Sequence, residues 1–251
     1  MERWLMIDQA MILAAGRGTR MGAVARERPK PLLEVAGAPL LHHVLSGLAD
    51  VGLRRAVVVV GHLGEQIERR FGAVAGAGLR ISYCRQERPT GTATAALLAQ
   101  RHLAPAPLVM SFADILCARS NYRKLLACFE AHPCEVLLGL NPVEDPWEGA
   151  AIYRDGDRVT RLVEKPPRGA SATRWNSAGV MVLTSPVWPV LEELPPSARG
   201  EYELPQGIAR MVETGHDVRG VEFAGFCSDM GRPDDLARVV RLAQAGALDL
   251  S

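Results

Sequence analysis

Short apolar runs alternate with amphipathic segments throughout the first half of the chain, and this alternation restricts the fold more than any other sequence feature. The predicted strands are Ala10–Leu13, Ala56–Val60, Leu79–Cys84, Leu108–Phe112 and Glu135–Leu140. The predicted helices between them are Leu40–Val51, Gly64–Phe71, Thr92–His102 and Asn121–His132. Strands that are apolar on both faces need cover on both sides, which intervening helices provide. The pattern predicts a doubly wound α/β domain around a mostly parallel sheet.

The rhythm changes after about residue 141. The segments Ala150–Arg154 and Arg158–Glu164 flank Asp155-Gly156, which favours a hairpin turn because both residues tolerate a positive φ. Further elements are expected at Gly179–Leu183 (strand), Leu204–Glu213 (helix), Val218–Phe223 (strand) and Asp234 to about Ala247 (helix). This half should add a mixed or antiparallel extension to the same sheet. Residues 1–251 are expected to form one domain with three successive parts, at about 10–140, at 141–233 and, as a C-terminal helix, at 234–251.

Composition narrows the classes of function. The formal net charge is +1, so nothing in the bulk charge attracts nucleic acid, and no such partner is expected. The five cysteines form no C-x-x-C pair and are odd in number, which favours free thiols in a reducing cytoplasm. No apolar run, Ala56–Val60 included, approaches the roughly 18 residues that span a bilayer, and the N-terminus does not resemble a secretory signal. We therefore expect a cytoplasmic protein without a membrane partner.

A glycine-rich segment, Leu13-Ala14-Ala15-Gly16-Arg17-Gly18-Thr19-Arg20-Met21-Gly22, follows the first predicted strand. Glycines at this place let backbone N–H groups point at a phosphate, and Arg17 and Arg20 add positive charge. The segment lacks the lysine of a Walker loop. It also has Met21 where a dinucleotide-binding fingerprint needs its third glycine. Taken alone, the segment could also be a basic surface turn.

Two further motifs follow the glycine-rich segment: Arg28-Pro29-Lys30-Pro31-Leu32-Leu33 and Gly37-Ala38-Pro39-Leu40. Together the three resemble the signature of the sugar-phosphate nucleotidylyltransferases, in particular the glucose-1-phosphate thymidylyltransferase-like members, and the likeness runs from Ala10 to about Leu242. The resemblance implies a nucleotide-diphospho-sugar transferase-like fold, which is a Rossmann-like doubly wound mixed sheet, mostly parallel, with an antiparallel sugar-binding extension. It assigns the part at about 10–140 to nucleotide binding and the part at 141–233 to sugar-phosphate binding. It also implies Mg²⁺ as cofactor and, in many relatives, a homo-oligomer.

A motif for the nucleotide base is expected at Gln86-Glu87-Arg88-Pro89-Thr90-Gly91-Thr92-Ala93. A glutamine amide offers a donor and an acceptor to a base edge, and glycine permits close approach. The resemblance places Gln86, Pro89, Gly91 and Thr92 beside the nucleotide, together with Leu13, Ala14, Ala15, Gly16, Gly18, Thr19 and Arg20. Thr92 could instead cap the helix that follows it.

Two aspartates are expected to hold the metal ion. Asp114 ends a predicted strand, where α/β sheets place ligand-binding groups, and Asp229 lies in Asp229-Met230-Gly231-Arg232-Pro233. By resemblance both bind Mg²⁺, which needs few protein ligands because it keeps waters and substrate phosphates. The sequence departs from the family pattern at Ala113, where glycine is usual, and a methyl group there could crowd the backbone. Each aspartate, read alone, could also be a helix cap or a solvated turn residue.

The sugar side is expected at three places. Val163-Glu164-Lys165-Pro166 resembles the family motif in which the glutamate contacts sugar hydroxyls and the lysine the sugar phosphate. Only three of the 29 basic residues are lysines, and two of them, Lys30 and Lys165, fall inside motifs that need a compact ammonium. Asn176 and Gly179 resemble the sugar-side strand, although the asparagine lies one place early, and Gly149 follows Trp147 in a sugar-side loop. Gly200-Glu201-Tyr202-Glu203-Leu204 precedes a helix, and a structural role suits it.

The expected reaction is in-line attack of a sugar 1-phosphate on the α-phosphorus of a nucleoside triphosphate, for which positioning and charge neutralisation matter most. The resemblance makes Arg17, Lys30, Asp114 and Lys165 the catalytic group. Gln86 favours dTTP or UTP, whereas no role is expected for His42, His43 or His62. Three alternatives remain: a non-catalytic binding module, a cytidylyltransferase for a non-sugar phosphate such as phosphocholine, and a NAD-dependent dehydrogenase, against which the glycine spacing argues.

Overall fold

The computed structural model describes residues 7–16, 18, 21, 27–76 and 78–250. Its strands are β1 (Gln9–Ala14), β2 (Glu34–Val35), β3 (Ala38–Pro39), β4 (Arg55–Val60), β5 (Val74–Ala75), β6 (Leu79–Arg85), β7 (Leu108–Phe112), β8 (Ile115–Cys117), β9 (Val136–Pro142), β10 (Ala150–Asp155), β11 (Arg158–Glu164), β12 (Trp175–Leu183), β13 (Val218–Glu222) and β14 (Cys227–Asp229). Its helices are α1 (Leu40–Asp50), α2 (Gly64–Phe71), α3 (Thr92–Gln100), α4 (Arg119–Ala131), α5 (Val187–Glu192), α6 (Leu204–Glu213) and α7 (Pro233–Gln244), with a 3₁₀ turn at Lys30–Leu32. None of these helices is both long and apolar enough to span a bilayer.

Ten strands form one mixed sheet in the order β10-β11-β13-β9-β12-β7-β1-β4-β6-β5. Strands β7, β1, β4 and β6 are mutually parallel. Strand β12 is antiparallel to both of its neighbours, β7 and β9, so β9 and its parallel partner β13 again point the same way as β1. Strand β11 is antiparallel to β13, and β10 is antiparallel to β11, so β10 also runs in the direction of β1. Seven of the ten strands therefore share one direction. The mostly parallel, mixed sheet predicted from the sequence is confirmed.

Strand β12 does not extend the sheet at its edge, as was expected for the second half of the chain, but lies inside it. This strand belongs to the second half of the sequence, yet it lies between β7 and β9 of the first half. The reason is its composition: residues 178–183 are buried without interruption, and a strand that is apolar on both faces is stable only inside a sheet covered on both sides. The two halves of the chain therefore share one continuous sheet.

Helices cover both faces of the sheet, as the doubly wound prediction requires. Alternate residues of β1 show how the faces separate: Ile12 joins the cluster beneath α1, α2 and α4, whereas Met11 joins the cluster beneath α3, α5 and α6. Leu45 and Phe129 fill the first cluster, and Met211 fills the second. A smaller third cluster packs α7 against the start of α1 and β8.

Several short elements were missing from the predictions. Strands β8 and β14 form a separate two-stranded sheet, with Asp229 opposite Ile115. Strand β12 begins at Trp175, earlier than the predicted Gly179, and its register shifts between Ser177 and Met181. Helix α7 ends at Gln244, short of Ala247. Strands of three residues and bulges have no periodicity that a sequence window can detect, which explains these differences.

The close packing around β9 gives a test of the fold. A Cβ atom on Gly139 would lie 2.2 Å from Cζ of Phe223 and 2.9 Å from the carbonyl oxygen of Val180. The Gly139→Ala variant should lose about 1 to 3 kcal/mol of unfolding free energy, because the methyl group overpacks a central strand. Chemical denaturation measures the loss. Val74→Ala, at a 58% exposed edge residue, is the control and should be neutral; equal stability of both variants would contradict the packing described.

Candidate active site

One pocket of about 600 Å³ opens beside the carboxyl ends of the parallel strands β1 and β7. Ligands bind at this edge in open α/β sheets, and the volume suits a small-molecule ligand. Twelve residues singled out in the sequence line it: Leu13, Ala14, Ala15, Gly16, Gly18, Lys30, Gln86, Pro89, Gly91, Thr92, Asp114 and Asp229. The fold thus gathers residues from five separate stretches of the chain into one cavity. Arg17, Thr19 and Arg20, which were assigned to phosphate binding, lie outside the described residues.

The two predicted metal ligands meet in this pocket. Asp114 directly precedes β8 and Asp229 ends β14, so the antiparallel pairing of these strands brings the two residues to the same place. The backbone N–H of Met230 donates to the carbonyl oxygen of Asp114 at 3.0 Å, which closes the junction. A Cβ atom on Gly231 would lie 2.8 Å from Oδ2 of Asp229, so glycine allows the following loop to pass close to the carboxylate.

Lys30 supplies the positive charge opposite these carboxylates. Its side chain is 11% exposed, and the ammonium group forms an ion pair with Oδ2 of Asp114. Surrounding protein atoms desolvate Asp229, and Asp114 adds a like charge; both effects raise the pKa of Asp229, while Lys30 opposes them. The pair of carboxylates therefore presents a negative centre that a cation would stabilise.

Ala113, the departure from the expected glycine, fits its surroundings. The residue is 1% exposed and belongs to the buried cluster beneath α1 and α4. Its backbone N–H donates to the carbonyl oxygen of Leu13 at 3.0 Å and extends the contact between β7 and β1. The methyl group is accommodated by the core, and the carboxylate of Asp114 still lines the pocket.

The orientation of the Gln86 amide is fixed by its neighbours. Nε2 donates to the carbonyl oxygen of Gly91 at 2.9 Å and to Oγ1 of Thr94 at 3.0 Å. The Thr94 hydroxyl in turn donates to the same Gly91 oxygen at 2.9 Å, so Thr94 can only accept from Gln86. Turning the amide over would place two acceptors against each other. The function that Gln86 offers to a ligand is therefore its acceptor, Oε1.

The motif around Gly91 is joined to the motif around Tyr202. The N–H of Tyr202 donates to the carbonyl of Thr90, and the N–H of Ala93 donates to the carbonyl of Tyr202, both at 2.8 Å. Gly91 has a φ of +127°, and a Cβ atom on it would lie 2.2 Å from the Tyr202 carbonyl oxygen. Only glycine fits there. The segment Gly200–Leu204 thus builds the wall of the pocket, which explains the structural role expected for it.

Thr92 caps a helix, but not the one suggested by the sequence. Gly91 is the N-cap of α3, which begins at Thr92. The Thr92 hydroxyl oxygen instead accepts from the N–H of Leu204, the first residue of α6, at 2.8 Å. The alternative of a cap on α3 is therefore wrong: the hydroxyl serves a helix more than a hundred residues away, because the Tyr202 junction brings the two helix starts together.

The five residues assigned to the sugar side line no described part of this pocket and form a second group beside it. Gly149 accepts a hydrogen bond at 2.7 Å from the N–H of Lys165, and Lys165 pairs with Glu164 at 3.0 Å. A Cβ atom on Gly149 would lie 2.2 Å from Oδ1 of Asn176. Gly179 packs against Phe112 and Ile115, on either side of Asp114 in the chain, and so connects the second group to the segment that carries Asp114.

Glu164 and Lys165 of the second group are both held in unfavourable states, the first by burial and the second by its backbone conformation. Burial raises the pKa of Glu164, and Lys165 only partly offsets this by charge and hydrogen bonding. Lys165 itself has a φ of +46°, a left-handed conformation that costs energy in a residue with a side chain. Strain of this kind is concentrated at functional sites. The lysine is held in place by its N–H contact to Gly149.

Some pocket residues were not singled out from the sequence. Gly231 and Glu201 lie inside motifs that were recognised, so their motif positions were an available signal. Phe112 and Ala95 line the wall as well, and only their places at a strand end and on a helix could have indicated them. Thr94, which orients Gln86, carries no signal in the sequence.

Histidine and cysteine play no recognisable part in the site. Nε2 of His43 bonds the carbonyl oxygen of Val35 at 2.8 Å, while His42 and His62 are exposed. The pKa of His42 is lowered, first because nearby protein atoms desolvate part of its ring and then because His43 adds a like charge. Among the described residues no group of three or more histidine, cysteine or acidic side chains is arranged to hold a metal ion, and all five cysteines are free thiols.

Comparison with known proteins places this geometry in a family. Residues 9–245 match the family model described as Nucleotidyl transferase, which is nearly the whole chain. The protein therefore belongs to the nucleotidyl transferase family, and the family resemblance read from its motifs is confirmed.

Several named proteins are similar over this length. The low-salt glycan biosynthesis nucleotidyltransferase Agl11 of Haloferax volcanii is 30% identical over 93% of the chain and 65% of its own length. A glucose-1-phosphate thymidylyltransferase of Streptomyces antibioticus is 31% identical, with the same two coverages. The UTP–glucose-1-phosphate uridylyltransferase AglF of H. volcanii is 28% identical over 90% of the chain and 93% of its own length. The chain thus spans 65% of the first two of these relatives, and 52% of a bifunctional GlmU protein of Methanococcus maripaludis.

Solved structures share the fold. A UDP-glucose pyrophosphorylase, solved with UDP-glucose, superposes with a TM-score of 0.85 over 96% of this chain and 98% of its own, at 19% identity. An inositol-1-phosphate CTP transferase from T. maritima gives a TM-score of 0.80 over 95% and 96%, at 21% identity. The expected nucleotide-diphospho-sugar transferase-like fold is confirmed.

The raised pKa of Asp229 predicts a gain in stability when its charge is removed. A raised folded-state pKa means that ionisation of Asp229 disfavours folding above its ordinary pKa of about 3.9, and that the penalty vanishes below it. Asp229→Asn should therefore raise the melting temperature at about pH 7, and the difference should shrink towards about pH 4. Calorimetry across this range measures it. Asp155→Asn, at an exposed hairpin turn that accepts either residue, should show no such pH dependence; a destabilised Asp229→Asn protein at neutral pH would refute the assignment.

Proposed function

We propose that the protein is a sugar-1-phosphate nucleotidylyltransferase, in which residues 1–251 act as one domain that forms a nucleoside diphosphate sugar and releases pyrophosphate. The observation that carries this proposal is the single pocket in which the glycine-rich loop, Gln86, Lys30 and two aspartates from distant motifs converge. A nucleoside triphosphate needs all of these chemical functions at one place. The family membership and the named relatives point to the same reaction class.

The phosphate end of the nucleotide belongs at the glycine-rich loop. Gly16 and Gly18 line the pocket beside the carboxyl end of β1, and a Cβ atom on Gly16 would meet no atom of the described residues within 4 Å, which supports placing a ligand next to the backbone. We assign the β- and γ-phosphates to this loop, with Arg17, Thr19 and Arg20 as further contacts on the strength of the family resemblance.

Asp114 and Asp229 would hold the Mg²⁺ ion. Two carboxylates in one pocket fit a hard cation that takes few protein ligands, and the ammonium of Lys30 on Asp114 shows that a positive charge is favoured at this point. The bound ion would supply charge neutralisation at the α-phosphate. Lys30, released from Asp114, would place its own charge against the reacting phosphate.

The sugar phosphate would be held by the second group of residues. Lys165, fixed by its backbone contact to Gly149, is suited to the phosphate, and Glu164 beside it is suited to sugar hydroxyls. Asn176 lies against Gly149, and Gly179 adjoins the segment that carries Asp114. The position of this group next to the metal-side aspartates supports in-line attack without a covalent intermediate.

The base preference follows from the fixed orientation of Gln86. Its free function is an acceptor, which complements the imide N–H of thymine or uracil. The ring nitrogen at the same position of cytosine is itself an acceptor and would oppose Oε1. We therefore favour dTTP or UTP.

The five free thiols support a reducing, cytoplasmic setting.

A cytidylyltransferase for a non-sugar phosphate remains the second candidate, because an inositol-1-phosphate CTP transferase shares the fold. The Gly200–Leu204 motif does not separate the two, since Tyr202 serves the pocket wall through its backbone. The preference for a sugar and for UTP or dTTP rests on Glu164, Lys165 and the Gln86 acceptor. A non-catalytic binding module is disfavoured because Ala113 packs into the core without displacing Asp114.

A substrate panel tests the proposed function. Purified protein with Mg²⁺ is given dTTP, UTP, CTP, GTP or ATP, each with glucose 1-phosphate, other sugar 1-phosphates, inositol 1-phosphate or phosphocholine, and pyrophosphate is measured. We expect release that requires both substrates and is fastest with UTP or dTTP and a sugar 1-phosphate. Binding of nucleotide without turnover in any pair would support the non-catalytic module, and preference for CTP with a non-sugar phosphate would support the second candidate.

Lys30→Ala tests the assignment of the ammonium group. Loss of one preorganised charge at the reacting phosphate typically costs about 3 to 4 kcal/mol of barrier, so kcat should fall roughly 10²- to 10³-fold. Lys124→Ala is the matched control because this lysine lies exposed on α4, away from the pocket. Circular dichroism checks that both variants fold. Turnover like that of the wild type in a folded Lys30→Ala protein would remove Lys30 from the mechanism.

A further inference from the structure

Arg232 touches the sugar-side loop from the segment that carries Asp229. Its guanidinium forms an ion pair with Glu148 and lies 5.6 Å from the ring centroid of Trp147. Both partners directly precede Gly149, whose carbonyl oxygen holds the N–H of Lys165. Arg232 itself follows Asp229 by three residues in the chain. One side chain therefore connects the two halves of the candidate active site.

The loop at 146–149 has few other anchors. The N–H of Gly149 donates to the carbonyl oxygen of Pro146 at 3.1 Å and closes a turn. Asp145, which precedes Pro146, accepts from the N–H of Gly169 at 2.7 Å. The guanidinium of Arg168 also lies over the Trp147 ring, at 5.5 Å, but Arg168 belongs to the connection between β11 and β12 and not to the segment that carries Asp229. Among the described contacts of this loop, those of Arg232 are the ones that reach the metal-side segment.

The residue type at position 232 suits this bridge. A guanidinium is planar and can stack on an indole ring while it donates to a carboxylate, whereas an ammonium makes one such contact well. Position 232 is also the N-cap of α7, and that role uses the backbone: its N–H donates to Oδ2 of Asp235 at 2.8 Å. The side chain is therefore free to serve the loop, and its removal leaves the cap intact.

We propose that Arg232, together with Trp147 and Glu148, is a positioning clamp that sets the sugar-side loop, and through it Lys165, relative to the metal-side aspartate Asp229. The clamp rests on the proposed function, since it assigns to these residues the alignment of sugar phosphate with the metal-side carboxylates. Arg232 acts through Gly149 and Lys165 and contacts no reacting atom. Its loss should weaken use of the sugar phosphate and leave nucleotide binding at Gln86 and the glycine-rich loop unaffected.

The kinetic test compares Arg232→Ala, Arg232→Lys and Trp147→Leu with the wild type. Both contacts are partly exposed, so we expect Arg232→Ala to raise the KM for the sugar 1-phosphate about three- to tenfold, with the KM for the nucleotide changed less than about twofold. Arg232→Lys should be intermediate, because it keeps the charge and loses the stacking. Arg210→Ala is the control, since this arginine of α6 also forms an exposed ion pair, and its partner Glu193 belongs neither to the loop at 146–149 nor to the segment that carries Asp229. An unchanged KM, or an equal rise for both substrates, would overturn the clamp.

A second measurement needs no turnover. Hydrogen–deuterium exchange of the ligand-free protein should show faster exchange at residues 147–149 in Arg232→Ala than in the wild type, with no change in Arg210→Ala.

A third measurement is kinetic. A double-mutant cycle of Arg232→Ala with Glu148→Gln should show non-additive effects on the KM for the sugar 1-phosphate, because both variants remove the same ion pair. If the wild type releases no pyrophosphate, the proposed function fails and the positioning role fails with it. If the wild type is active and exchange at the loop is unaltered, only the clamp is rejected.

Discussion

The pairing of two three-residue strands, β8 and β14, is the constraint on which the candidate active site depends. Asp114 leads into the first strand and Asp229 ends the second, so this small sheet unites carboxylates that lie 115 residues apart in the chain. Two carboxylates in one pocket repel each other, and Lys30 supplies the opposing charge. Asp229 still has a raised pKa. An arrangement that is unfavourable for the ligand-free protein is expected where a site is built to receive a cation, because stability and function compete at such positions.

The motifs of this chain serve the architecture as well as the ligand. Gly91 lines the pocket, yet glycine is required there because the backbone of Tyr202 occupies the space of a side chain. Thr92 also lines the pocket while its hydroxyl caps α6. The segments around Gln86 and Tyr202 therefore form one unit, in which Thr94 and the Gly91 carbonyl orient the amide that we assign to the base. A motif position can thus matter to binding without touching a ligand.

Much of the secondary structure could be predicted from local patterns. Helices α2 and α6 and strand β7 have the predicted bounds, and the hairpin at Asp155-Gly156 forms as expected. The central place of β12 could not be predicted, because strand order depends on how apolar faces are covered across the whole domain. The gathering of the pocket-lining motifs was anticipated through the family resemblance, whereas the partner of Thr92 and the bridge at Arg232 were not, since both join segments distant in sequence.

The sequence by itself determined the alternation of strands and helices, the glycine-rich loop, and the chemical types at Lys30, Asp114 and Asp229, because backbone periodicity and side-chain chemistry are local properties. Only the tertiary structure decided that those side chains share a pocket, that Gln86 presents an acceptor, and that Ala113 is tolerated. Each of these depends on packing between segments far apart in the chain. Such contacts form where the free energy of the whole fold is lowest, and no short stretch of residues encodes that minimum.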